Sequence, residues 1–332
     1  MAADNDITRV LARNRLATNR LVQQAGATAT RKLLLDSQRD LENRLSRSLQ
    51  STGPKSFTST QLRSSLVQVR EVLRTITIPS LKDTVVKHGV VAAHLAVHQT
   101  VDYLHTANKA FTGVVAGLPI REASVFEHAV SGARSSILRH ISSGGRGTEK
   151  ARNGVLERYN DATITHFEKT FQRGLITGKS QAQMRDEIIE GSPFLQQAPA
   201  HYATRIVRTE CHYSANVATH EAMKEVNVQL GGGMIRILCA TFDDRTGSDS
   251  IAVHGQVRHM DEPFGTWYGD FMTPPDRPND REIVVPHRLR WSIPDSLRPK
   301  DEGEILDRWK QEGRKGSPPA RPQMSTVDEI KY

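Results

Sequence analysis

Three consecutive glycines, Gly231-Gly-Gly233, separate two kinds of apolar pattern in this chain of 332 residues. Upstream of them, apolar residues recur at spacings of three, four or seven, which places them on one stripe of an α-helix. Downstream, Met234-Ile-Arg-Ile-Leu-Cys-Ala-Thr-Phe242 is a short, nearly continuous apolar run that ends at the turn formers Asp243 and Asp244, the pattern of a strand. Glycines in series stop a helix, because ordering them costs more backbone entropy than any other residue. The chain therefore builds its helices first and its sheet afterwards. The implied fold class is α+β, predominantly helical: a helical N-terminal part followed by a small α+β domain with a short sheet and a loop-rich C-terminus.

Breakers divide the helical part. Residues 6–50 read as helix on Ile7, Val10, Leu11, Leu34, Leu41, Leu45 and Leu49, with an interruption expected at Gly26-Ala-Thr-Ala-Thr. Ser51-Thr-Gly-Pro-Lys-Ser ends that unit. Leu62, Leu66, Val69 and Leu73 predict a second helix, which Pro79 should end; further helices are predicted over 82–110, 149–173 and 200–226. Ser180 and Gln183 have the spacing of a capping box for one more helix. Weaker strands are expected over 253–260 and 282–285, with irregular loops between them, a short helix over 302–311 and a flexible tail from Gly313. Ser142-Ser-Gly-Gly-Arg-Gly is the clearest linker. The division it suggests is a basic helical region 1–145, an α+β domain 146–291, and an extended or flexible C-terminal tail 292–332.

Charge follows the same division. The net charge is +8, but residues 1–150 hold 21 Lys and Arg against 11 Asp and Glu, whereas residues 151–332 hold 24 against 26. The whole basic excess thus lies in the helical region and points to a polyanion or an acidic protein as its partner. Arg9, Arg13, Arg20, Arg31, Arg39, Arg44 and Arg47 are the candidate phosphate contacts. No apolar run approaches the roughly 18 residues of a membrane span, so no membrane partner is expected. The first residues lack the charged and apolar regions of a secretory signal. Two cysteines, Cys211 and Cys239, are too few for a disulfide framework and suit buried thiols in a reducing compartment.

Catalytic patterns are sparse. Gly174-Leu-Ile-Thr-Gly178-Lys179-Ser180 has three residues between its glycines where a phosphate loop needs four, and a helix precedes it where that motif needs a strand. His94, His98 and His105 lie within about 40° of one another on a helix. No acid or cysteine completes a ligand set beside them, so they read as the rim of a packed face. Asp243, Asp244 and His254 follow the strand and raise the alternative of a metal-dependent nuclease acting on DNA. A turn after a strand is also where an Asp-Asp-Arg-Thr-Gly segment belongs on backbone grounds.

The order of several segments resembles the phage Mu F-like minor head proteins. These are Arg205-Ile-Val-Arg208-Thr209-Glu210 with Ala215-Asn216-Val-Ala218 on a helix, the strand from Met234, Asp243-Asp-Arg-Thr246, Gly255, and Asp261-Glu-Pro-Phe264. The resemblance covers about residues 150–291. It implies a head-morphogenesis protein present in few copies, inside the head near the portal vertex after assembly in the host cytoplasm. Such a protein acts in capsid assembly and in genome packaging or delivery. Its partners would be the portal and other capsid or scaffold proteins, with packaged double-stranded DNA as a candidate for the basic helices. The family is not generally enzymatic, so no catalytic residue, cofactor or metal is expected. The residues carried over as structural are Arg208, Glu210, Asn216, Asp243, Asp244, Arg245, His254, Gly255 and Phe264. The chain departs from the family where members often carry Cys and His after the Asp turn: Gly247 and Ser250 stand there. The closing segment Pro286-His-Arg-Leu-Arg-Trp291 lacks cysteine, and His254 precedes Gly255 where Asp is common.

Overall fold

The computed structural model describes residues 2–49, 59–114, 117–142, 155–180, 183, 198–275, 277, 280–322 and 324. Its helices are α1 (Ala2–Leu49), α2 (Ser59–Val72), α3 (Ile78–Thr112), α4 (Glu122–Ser142), α5 (Val155–Ile176), α6 (Ala198–Gln229), α7 (Ser248–Val253) and α8 (Glu302–Gln311). The strands are β1 (Met234–Cys239), β2 (Val257–Arg258), β3 (Phe264–Thr266), β4 (Gly269–Phe271) and β5 (Ile283–Arg288). The fold is α+β and mostly helical, as the glycine triplet implies.

Two expected helix breaks are not breaks. α1 runs unbroken through Gly26. A Cβ at Gly26 would lie 2.9 Å from Cγ of Arg208, so this glycine lets α1 approach α6. Pro79 does not end its helix either: α2 passes through a π-helical turn, Leu73–Thr77, directly into α3. Proline has no N–H to give the preceding turn and its ring crowds a carbonyl there; the wider turn accommodates both effects, with Pro79 in the first turn of α3.

α3, α4 and α6 pack against one another, and the N-terminal half of α1 lies across α3 and α6. Small and β-branched residues at spacings of four make the contact faces: Val125, Ala129, Ala133 and Ile137 on α4 are all fully buried. α3 and α6 cross closely at Gly89, whose carbonyl accepts a 2.7 Å bond from Ser214 Oγ. His94 and His98 approach the Phe126 ring on α4, and His105 accepts from Leu118 N–H at 3.1 Å, so the three histidines rim the α3–α4 contact.

The sheet has order β2-β1-β5, antiparallel throughout, with Ile237 opposite both Val257 and Val285. All six residues of β1 are buried. Two features differ from the sequence reading. Residues 248–253 form α7, leaving only 257–258 of the expected strand, and β3–β4 is a hairpin where irregular loops were expected. Both are pieces of six residues or fewer, too short to show a period. One hydrophobic core runs from Ile7 on α1 to Leu297 beyond the sheet. The boundaries at 145/146 and 291/292 therefore mark changes in composition that the core itself crosses.

The C-terminal segment is held through residue 322, contrary to a flexible tail beginning at Gly313. α8 forms over 302–311, opened by Asp301 accepting from Glu304 N–H, and buries Ile305 against Ile251 and Ala252. Glu312 then accepts from both Ser248 N–H and Ser248 Oγ at the start of α7. Trp267 donates to Ala320 O, and Arg321 donates to Ala252 O and Lys300 O. Residues 325–332 of the expected tail lie outside the described residues.

Candidate functional site

The residues singled out by the resemblance gather where α6, the sheet and the Asp243 turn meet. Asn216 is buried on α6. Its amide donates to His212 O and Glu282 O, each at 3.1 Å, and its Oδ1 accepts from Val284 N–H at 2.9 Å. It thereby supplies the free edge of β5 with the partners that another strand would give. Glu210, six residues earlier, is 1% exposed and pairs with His140 Nδ1 of α4 at 2.6 Å. Arg208 is half-buried. Burial, with the positive charges of Arg245 and Arg281, pushes its pKa down.

Asp243 organises the turn. Its Oδ1 accepts from Arg245 N–H at 2.9 Å, and its N–H donates to Thr246 Oγ1 at the same distance. Arg281, just before β5, grips the Asp243 carboxylate with two nitrogens, one at 2.7 Å, and Arg245 stands at 3.7 Å. These bonds hold its carboxyl well below the usual range, with Arg281 the largest cause. Asp244 points outward, and its carbonyl accepts from Arg308 of α8. Next to this turn, a charged cleft is lined by Thr246, Asp249, Arg277, Asp280 and Arg281. Arg277 bridges Asp249 and Asp280 there, so the cleft's charges are largely paired with one another.

His254 is fully buried, and its Nδ1 accepts from Ala240 N–H at 3.1 Å. Burial first, then the charges of Arg15 and Lys300, lower its pKa to about 4, so it is neutral at pH 7. Gly255 follows at φ +79°, its N–H donating to Leu238 O at 2.8 Å. Phe264 is fully buried beneath the guanidinium of Arg236, 4.7 Å from ring centroid to Cζ. The structure thus brings Asn216, Asp243, Arg245, His254 and Gly255 into one bonded framework. It does not aim Asp243, Asp244 and His254 at a common point: one carboxylate is clamped by Arg281, one faces outward, and the imidazole is turned into the core. Among the described residues, no group of three His, Cys, Asp or Glu could hold a metal ion.

No protein-family model, curated protein or solved structure matches the chain. The assignment of a function therefore rests on the residues themselves.

Sequence reasoning missed Arg236. It sits fully buried in the middle of β1 and donates to three backbone carbonyls, His259, Met272 and Glu262, so one side chain gathers the loops around β3 and β4. Burial lowers its pKa to about 10, which still leaves it charged at pH 7. The signal was present as a cation between Ile235 and Ile237 in an otherwise apolar strand.

The candidate DNA contacts are unequal. Arg9, Arg20, Arg39 and Arg47 on α1 are exposed. Arg13 is spent on Asp102 of α3 and Arg44 on Asp40 at 2.7 Å. The side chain of Arg31 lies outside the described residues. Among the described residues, no helix is long and apolar enough to cross a membrane.

Proposed function

We propose that the chain is a minor head protein of a tailed phage, bound near the portal vertex inside the head and acting in capsid assembly and genome packaging or delivery. The observation that carries this reading is the fate of the residues it shares with the Mu F-like family. Asn216, Asp243 and Gly255 are each consumed by bonds or close approaches that build the small α+β part. Side chains so engaged serve architecture, which suits a protein whose work is docking on portal, capsid or scaffold proteins. In this reading the exposed arginines of α1 meet packaged double-stranded DNA, neutralising phosphates without reading sequence.

The DNA contact is tested on the full chain, because α1 shares its core with α6 and a fragment ending at 145 would lose that partner. Mobility shifts at about 50 mM salt should show binding of duplex DNA in the non-specific range of about 10⁻⁴–10⁻⁶ M. Changing Arg9, Arg20, Arg39 and Arg47 together to Gln should weaken binding and flatten its salt dependence by up to about 0.9 in log–log slope per lost contact. Absence of any shift by the unaltered chain would sink the DNA part and leave an acidic protein as the partner of these helices.

A further inference from the structure

Where α1 crosses α3, α6 and β5, the packing leaves a cavity of about 60 Å³. That is room for an occupant of halide or water size and not for a nucleotide. Most polar groups on its wall are already satisfied. Asn14 and Gln99 donate to each other's backbone carbonyls, Thr18 donates to Gln99 Oε1, and Thr100 donates to Ala96 O. Asn216 is committed to β5.

Three groups on the same wall are buried without a hydrogen-bond partner: Arg15 Nε, the Tyr103 hydroxyl and His212 Nδ1. Tyr103 is 2% exposed and His212 5%. The only polar contact of the Arg15 guanidinium among the described residues is Nη2 on Cys239 Sγ, at 2.9 Å. A thiol is a weak, neutral acceptor, so among the described residues no charged partner meets this guanidinium. Burial pushes the Tyr103 hydroxyl up, so it keeps its proton. Burial, with Arg208 and Arg281 nearby, lowers His212 to about 4, so its ring is neutral and carries one N–H. The unsatisfied groups are thus two N–H or O–H donors and an imidazole that donates in its Nδ1–H tautomer. Leu11, Ala96 and Val284 make the apolar part of the same wall.

We propose that this cavity binds a small monovalent inorganic anion, of chloride size, between Arg15, Tyr103 and His212. The ion neutralises Arg15 and accepts from all three side chains, which lie on α1, α3 and α6. Docking of the basic helix onto the rest of the molecule is therefore anion-dependent, a device that goes beyond the head-protein reading and does not rest on it.

The test uses the full chain at fixed ionic strength, with sodium chloride replacing sodium gluconate, whose anion is too large to enter. Chloride should raise the unfolding temperature saturably, by about 2 °C or more at concentrations well above its Kd. It should also broaden the ³⁵Cl magnetic resonance line in a manner reversed by bromide. Arg15→Gln should abolish both effects. Tyr103→Phe, which keeps the ring in place, should weaken chloride binding by about threefold or more. Equal unfolding temperatures in the two salts, with no protein-dependent broadening, would mean that water fills the cavity and would overturn the proposal. Wild-type chloride binding by both variants would overturn it equally, by placing the ion elsewhere.

Discussion

A methyl group on residue 255 would lie 2.4 Å from Pro299 N and 2.7 Å from Arg298 C, on backbone already at φ +79°. Neither contact is with a flexible side chain, so neither can yield cheaply. Gly255→Ala should therefore cost more than about 2 kcal/mol, from strain and overpacking together, read as a fall in the denaturant midpoint. Arg236→Met makes a second residue-scale prediction. The substitution suits the apolar strand but leaves three carbonyls without their donor, and a cost of about 2–5 kcal/mol is expected. Hydrogen exchange should localise the loss to residues 259–272; uniform loosening would contradict the role given to Arg236. Both roles were only partly legible in the sequence. Gly255 was marked by a resemblance, but the segment it touches lies more than forty residues on. Arg236 stood out as a cation in a strand, yet its three partners lie in loops whose path no periodicity encodes.

At the scale of elements, the close packing of α3 on α4 depends on Gly89. A Cβ there would sit 2.2 Å from Cδ1 of Ile137, which is fully buried on α4. Gly89→Ala should destabilise by about 1–3 kcal/mol despite its gain in helix propensity. Ile137→Val removes the clashing atom at its own cost of about 0.5–1.5 kcal/mol. The double variant should then be more stable than the two losses added together, and strict additivity would contradict the geometry. Helix periodicity located α1, α3 and α6 because each turns an apolar stripe inward over several turns. It failed at Gly26 and Pro79, where residues that break isolated helices are tolerated by tertiary contact and by a π turn. It failed also at β3–β4 and α7, which are too short to show a period. The capping box at Ser180 and Gln183 did form, with reciprocal bonds of 2.9 and 3.2 Å, because its chemistry is local.

At the scale of the whole molecule, the core holds several histidines as neutral rings. Burial lowers His212, His254 and His287 to about 4 and His220 to about 3, from an ordinary value near 6.5. The unfolded chain thus takes up protons that the folded chain refuses, so stability falls as pH drops below about 6.5 and this loss levels off near pH 4. Each ring contributes about 1.4 kcal/mol per pH unit across that window, so the four together make stability steeply dependent on pH. Denaturant unfolding at pH 7 and pH 4.5 reads it directly, and equal stabilities would show the rings to be paired or hydrated. The same scale holds the charge asymmetry of the chain. The basic helices and the neutral α+β part are joined by one core, so a partner that binds α1 positions the Asp243 turn as well. The most direct test of the head-protein reading is an asymmetric reconstruction of head particles containing the protein. Density for it is expected inside the capsid at the portal vertex, with α1 turned toward the packaged DNA. Heads that lack the protein while assembling and packaging normally would contradict it.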